Sequence, residues 1–368
     1  KFFHPDPTVE RQSGFLKPKL NDSNILGSSF SLPYFKAISD NKDATIVPTI
    51  FDNDMLMTQV EYREVGKNYN LIADFGNVIN YESSTEKDKK NLSHFFGKYD
   101  LDLNLKNYLS SSINISTERV TNDSYIKLFS PIFLNNDLKP DTDTLENKIK
   151  LNLEHEDYLL ESGVETYETL NSNTSDKYQY ILPYYNFEWF IKQDYFNGNF
   201  NLSSNGANNL KETNQLETSV INNLNYTSNN FYWNNGIKSI FSINFKNVNS
   251  VGKNSTKYES SPRTDLISLI NTELSLPLIK EYNDYTNLLT PKISFRVNPT
   301  NMKNYSSSDN KINISNLFSN TRLGLSDTYE AGRSMTIGLD FKKTKNSLDD
   351  VNDYFEIKLG TVIRDKIE

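Results

Sequence analysis

The chain has 368 residues, of which 36% are hydrophobic and 12% aromatic, with 22 Tyr and 22 Phe. Its mean hydropathy is -0.62 and its formal net charge -8, an acidic balance with no basic run that argues against nucleic acid as a partner. It contains no cysteine, so disulfides and thiolate chemistry are excluded.

Low apolar content often marks disorder, but disordered chains are poor in aromatics. A polar chain rich in Tyr and Phe points to strands with one apolar face and one polar face. The chain starts at Lys1 with neither a methionine nor a signal peptide, and reads as a piece of a longer protein.

The first segment, FFHPDPTVERQSGFLKP (2–18), leads into LPYFKAISDNKDATIVPTIF, Leu32 to Phe51. The latter reads as two strands around the turn Ser39 to Asp43, each with a proline in its body, Pro33 and Pro48. Proline cannot donate to a sheet ladder and is normally confined to edges and bulges. VEYREV (60–65) follows.

Alternation with a period of two then recurs along the chain. It appears in DLDLNLKNYL (Leu101, Leu103, Leu105) and NKIKLNLEHE (Ile149, Leu151, Leu153), and aromatics gather in YILPYYNFEWF (180–190). It continues in KISFRVNP (Ile293, Phe295, Val297), MTIGLDFKK (Met335, Ile337, Leu339, Phe341) and FEIKLGTVI (Phe355, Ile357, Leu359, Ile363).

The expected spacers are polar: 83–91, 171–177, 205–214, 249–262 and 304–311. No helix of convincing length is expected. No apolar run approaches a membrane helix, which leaves a barrel that crosses with strands open.

The expected fold is all-β: roughly 16 antiparallel strands, many about ten residues long, of a transmembrane β-barrel. Soluble β-sandwiches are the alternative. An unbroken run of strands, long spacers and clustered aromatics favour the barrel.

No catalytic or metal site is expected. His4, His94 and His155 sit in unrelated segments without a nucleophile elbow or ligand spacing. The acidic stretch LDDVNDYFE (348–356) lacks the glycine and register of a calcium loop. Asn-x-Ser/Thr triplets are chance matches in a chain this rich in Asn, Ser and Thr.

Two blocks are more specific than periodicity. The first holds Arg11, Ser13, Gly14, Phe15, Leu16 and Pro18, then Pro33, Tyr34 and Phe35, then Asn41, Asp43, Thr45 and Pro48, then Glu61, Tyr62 and Arg63. The second is LLTPKISFRVNP with Pro291, followed by NLFSNTRLG with Asn316, Phe318 and Arg322, then Asp327, Glu330, Gly332 and Arg333. In this order the blocks resemble the LptD family of lipopolysaccharide-assembly proteins, also called organic solvent tolerance proteins. The resemblance is dense at both ends and thin between about 85 and 280. Asp40 and Thr328 stand where members often carry proline and arginine.

The resemblance implies that residues 1–27 lead from an N-terminal periplasmic jelly roll into the barrel. Residues 28–368 would then be the N-terminal and middle strands of a larger outer-membrane barrel, unable to close alone. It also implies lipopolysaccharide as cargo, an LptE-like lipoprotein plug in the lumen and an LptA-like periplasmic bridge docking on the jelly roll. No cofactor is implied. Pro33 and Pro48 would then weaken one seam of the wall into a lateral gate, whereas on their own they read first as marking a bulge or setting strand curvature. A general porin of a Gram-negative outer membrane and a soluble surface β protein are the rival readings.

Overall fold

The computed structural model describes residues 11–82, 89–134, 138–140, 143–170, 176–191, 197–212, 214–300, 311–325, 327–345 and 354–365. His4, the 304–310 part of one expected spacer and most of the acidic stretch 348–356 lie outside these residues. The chain forms two compact units. The first comprises Lys1–Tyr185, Ala207–Glu217 and Lys253–Ser255; the second comprises Asn186–Gly206, Thr218–Gly252 and Thr256–Glu368.

The described residues contain 21 strands. In chain order they begin with β1 (Gly14–Phe15), β2 (Lys19–Ser23), β3 (Gly27–Ser31), β4 (Tyr34–Ser39), β5 (Lys42–Phe51), β6 (Leu56–Val65) and β7 (Tyr69–Tyr81). Next come β8 (Lys90–Asp102), β9 (Ser110–Val120), β10 (Thr144–Glu154), β11 (Tyr158–Thr169), β12 (Tyr178–Ile191), β13 (Gly198–Lys211) and β14 (Leu216–Ser228). The last are β15 (Phe231–Tyr232), β16 (Lys238–Lys253), β17 (Arg263–Ser275), β18 (Leu278–Glu281), β19 (Tyr285–Asn298), β20 (Gly332–Lys345) and β21 (Tyr354–Arg364). One short helix, α1 (Tyr125–Phe129), runs into a single 3-10 turn.

The expected all-β antiparallel class holds. In the first unit β1 pairs with β4, β2 with β3, and both β3 and β4 with β5. From β5 to β11 each strand pairs with the next. In the second unit β14 and β15 pair with β16, β16 with β17, β17 and β18 with β19, and β19 to β21 follow in sequence.

The elements outnumber the roughly 16 expected strands because several strands are interrupted. β3 and β4 share a register against β5, and β17 and β18 share one against β19.

Two expected spacers are strand in part. Residues 205–211 belong to β13 and 249–253 to β16, while 254–262 lie outside the strands as expected. Their polar side chains are satisfied across the ladder, as where Gln179 donates to Asn209 at 2.8 Å. Conversely β8 stops at Asp102, so Leu103 and Leu105 leave the strand although their alternation suits one.

Burial alternates along the strands with an inverted polarity. In β5 Asp43, Thr45 and Thr49 are buried beside Val47 and Phe51, while Ile46, Pro48 and Ile50 are exposed. In β16 Ser242, Asn244, Lys246 and Ser250 are buried and Phe241 and Phe245 exposed. In β19 Ser294, Arg296 and Asn298 are buried while Phe295 and Val297 are exposed. A water-soluble sheet buries the opposite set. Strands whose outer face meets hydrocarbon and whose inner face meets a polar lumen alternate in this way.

In the first unit the buried face is covered by the segment around α1. Tyr125, Ile126, Phe129, Phe133 and Leu138 join Leu26, Phe51, Met55, Met57, Val78, Leu92, Phe96, Leu145 and Leu170 in one apolar cluster. His94 is buried within it, its Nδ1 2.9 Å from the Tyr125 hydroxyl and its Nε2 3.4 Å from Asp74. Gly76 leaves space for that ring, since a Cβ there would lie 2.3 Å from it.

The faces make opposite predictions for two neighbours on β8. Phe96 is 1% exposed and Phe95 42% exposed. Phe96→Ala should cost about 3–5 kcal/mol of unfolding free energy in detergent. Phe95→Ala should cost under about 1 kcal/mol in a urea titration of the same preparation.

Candidate functional site

Pro33 does not lie inside a strand. It occupies the two-residue gap between β3 and β4, where a residue without an N–H is least costly. The common register sets Leu32 opposite Pro48 and Pro33 opposite Val47. Leu32 N donates to Pro48 O at 3.2 Å, and the reciprocal bond cannot form. On the other edge Leu16 N donates to Pro33 O at 2.8 Å, again without a return bond.

Pro18 falls in the gap between β1 and β2, across which the register slips by one residue. The three prolines thus fall on neighbouring segments, and Pro33 and Pro48 each remove one ladder donor. Each missing bond is worth about 0.5–1.5 kcal/mol net.

The same device occurs a second time. Ser275-Leu276-Pro277 interrupts β17 and β18 as Ser31-Leu32-Pro33 interrupts β3 and β4. Leu276 N donates to Pro291 O at 3.1 Å, matching Leu32 and Pro48. Pro291, read above only as part of a block, is therefore the counterpart of Pro48. The repeated Ser-Leu-Pro was visible in the sequence; the matching proline on the partner strand needed the register.

The rest of the first block converges on the hairpin tip beside Pro33 and Pro48. The buried carboxylate of Asp43 accepts from Arg63 Nε at 2.8 Å and from Arg11. Glu61 lies 3.5 Å from Arg63 Nε. Ser13 Oγ accepts from Ala37 N at 3.0 Å, and Asn41 Nδ2 donates to Val65 O at 2.9 Å. Gly14 and Phe15 form β1, with the Phe15 ring edge-on to Tyr34 at 5.1 Å. These contacts hold the segment before β4 against the edge of the sheet.

The second block is a strap over the polar face of the second unit. Arg322 is 1% exposed, donates to Glu330, and reaches Thr336 Oγ1 at 3.2 Å and Ser334 Oγ at 3.0 Å. Glu330 also accepts from Arg364 at 3.1 Å. Arg296 donates to the carbonyls of Ser319 and Asn320 at 3.1 and 2.7 Å. Asn316 closes a turn by donating to Lys311 O at 3.0 Å.

Phe318 lies over Gly338 and Leu317 over Gly360, and the two glycines face each other in β20 and β21. A Cβ at either glycine would enter those side chains, at 2.7 and 2.2 Å. Asp327 is buried, and Gly332 opens β20 with φ 80°. Of the histidines, His155 stacks on Tyr158 with centroids 4.7 Å apart and His94 belongs to the cluster under α1. Among the described residues no group of three His, Cys, Asp or Glu could hold a metal.

No protein-family model matches the chain. The LPS-assembly protein LptD of Cupriavidus necator is 28% identical over 116 residues, which is 32% of this chain and 13% of that protein. LptD of Saccharophagus degradans is 30% identical over 79 residues, 22% of this chain and 9% of that protein. LptD of Burkholderia thailandensis reaches 41% over 61 residues, 16% and 8% of the respective chains. Each match thus takes in only a small part of the relative's length, and over those stretches the chain is LptD-like. A structure described as a bacterial polysaccharide outer membrane secretin aligns over 92% of both chains, but with a TM-score of 0.19 and 8% identity. That is too low for a shared architecture.

The two clusters differ in what their loss should do. Arg11 and Arg63 are 47% and 43% exposed at their side chains. Asp43→Ala should therefore cost only about 1 kcal/mol, read as faster amide exchange at Leu16. Arg322 and Glu330 are 1% and 8% exposed. Glu330→Ala strands a buried guanidinium and should cost about 3–5 kcal/mol in a denaturant titration.

Burial raises the Glu330 carboxyl, but the hydrogen bond and charge of Arg322, with Arg296 and Arg364, outweigh it and hold the group below its ordinary value. Its contribution is then complete above the unfolded carboxyl value of about 4.3 and is lost as pH falls through the folded value. Glu330→Gln should flatten that acid limb of the stability curve.

Proposed function

We propose that this chain is part of an outer-membrane β-barrel that carries lipopolysaccharide to the outer leaflet and opens sideways beside Pro33 and Pro48. The observation that carries the reading is the polarity of β5, β16 and β19, whose buried positions are mostly polar or charged and whose exposed positions are mostly aromatic and aliphatic. The LptD-like stretches support the cargo.

Lipopolysaccharide joins a saccharide, suited to a polar lumen, to acyl chains suited to lipid. A barrel wall leaves no free backbone groups in hydrocarbon, so such a molecule can leave only where one strand pair unzips. The edge of β3 and β4 is a suitable place. Among the described residues it is held by two residues of β1 and five of β2, with the prolines beside it. An LptE-like lipoprotein in the lumen and an LptA-like bridge feeding it belong to the same proposal, as does the absence of catalysis and cofactors.

The recurrence of the proline device supplies an internal control. In the full-length protein, Pro33→Ala with Pro48→Ala restores the missing donors at the proposed gate. Surface lipopolysaccharide should fall severalfold at unchanged protein abundance. Pro277→Ala with Pro291→Ala alters the equivalent pair within the wall and should leave surface lipopolysaccharide unchanged. Equal effects of the two pairs would make both prolines curvature devices and remove the gate.

A further inference from the structure

The exposed face of β13, β14, β16 and β17 carries two adjoining cavities that a lateral gate does not use. One, of about 390 Å³, is lined by Phe200, Leu224, Tyr226, Phe241, Ile243 and Phe245. The other, of about 590 Å³, shares Leu224 and Phe245 and is lined further by Leu202, Asn222, Asn247 and Leu266. The shared walls make them one groove, which follows β16 from Phe241 to Asn247, roughly 20 Å at the rise of a strand.

Its chemistry changes along that length. The Phe241 end is aromatic, with the Phe200 and Tyr226 rings 4.8 Å apart. The other end is a ladder of amides and hydroxyls. Asn222 and Asn249 both donate to Asn247 Oδ1, at 3.1 and 2.7 Å. Ser204 donates to Asn222 Oδ1 at 2.7 Å and Thr264 to Asn249 Oδ1 at 2.8 Å. The Asn247 amide donates to none of the described residues.

Around the ladder the exposed positions are Phe245, Leu266 and Ile270, which suit hydrocarbon. Lipid tails cannot satisfy amide donors, so this end calls for a hydrogen-bonding head group. Charge does not dominate that head. Lys246 is among the residues lining the larger cavity, but its side chain is buried with the ammonium 5.1 Å over the Tyr329 ring. The amides that remain match hydroxyls and acylamino groups.

We propose that this groove binds one acylated saccharide lipid, an acyl chain lying along the aromatic end and sugar hydroxyls capping the Asn222–Asn247–Asn249 ladder. The inference rests on the outer-membrane reading and adds a binding site on the outside of the wall.

The test is native mass spectrometry of the full-length protein in detergent. The probes are lipid A, an acylated glucosamine disaccharide, and phosphatidylglycerol, and folding is checked by heat-modifiable mobility. The wild type should retain one lipid A. Leu224→Trp fills the apolar end and should reduce retention at least fivefold. Leu266→Trp, at a position 72% exposed, fills the same groove from the other wall should the first variant misfold.

Asn222→Leu with Asn247→Leu should reduce lipid A retention at least fivefold and leave phosphatidylglycerol unaffected. Undiminished lipid A retention in the folded variants, or wild-type retention of both lipids alike, would overturn the site. So would occupation of the face by a second copy of the chain. Lost retention with normal surface lipopolysaccharide supports the groove independently of export. A wild-type protein that will not insert into vesicles overturns this inference and the barrel reading together, whereas one that inserts but retains no lipid A overturns the groove alone.

Discussion

The architecture depends on ladder hydrogen bonding between antiparallel neighbours. Each strand from β5 to β11 hands its backbone donors and acceptors to the strands on either side, and the long pairs β16 to β17 and β19 to β20 do the same. Once the backbone is satisfied in this way, side chains can be sorted by environment alone. Aromatic and aliphatic residues remain exposed at a net cost only if the surroundings are water. In hydrocarbon the same exposure is stabilising.

The buried polar face creates a second constraint. Serines, asparagines, aspartates and arginines that leave solvent need partners, and an irregular segment supplies them in the second unit. Arg296 and Arg322 spend their donors on the carbonyls and carboxylate of the strap at 311–331. The first unit differs, with an apolar segment around α1 seated on Met57, Val78 and Phe96 and His94 hydrogen-bonded to the Tyr125 hydroxyl, 3.4 Å from Asp74. Irregular backbone lies against the sheet in both, held in one by guanidinium chemistry and in the other by aromatic packing.

Two breaks in the ladder are informative because they share one form. Each occurs where a Ser-Leu-Pro tripeptide meets a proline on the next strand, and each leaves one bond where two are usual. One lies within a run of long strands. The other lies at an edge covered by seven residues and latched by Arg11 on Asp43.

The sequence by itself determined the strands, because period-two alternation and proline are local properties of the chain. NKIKLNLEHE, KISFRVNP and MTIGLDFKK each became strands. It also drew attention to Arg11, Asp43, Arg63, Arg322 and Glu330, although not to their meeting, which depends on residues 8 to 32 positions apart. Only the tertiary structure decided which face of each strand is buried, because alternation is symmetric until a neighbour covers one side. It alone showed that the polar run at 205–211 is strand, its amides satisfied across the ladder, and that Pro291 repeats Pro48. The amide ladder of Asn222, Asn247 and Asn249 was hidden for the same reason: its members are brought together by register, and register is a property of pairs of strands.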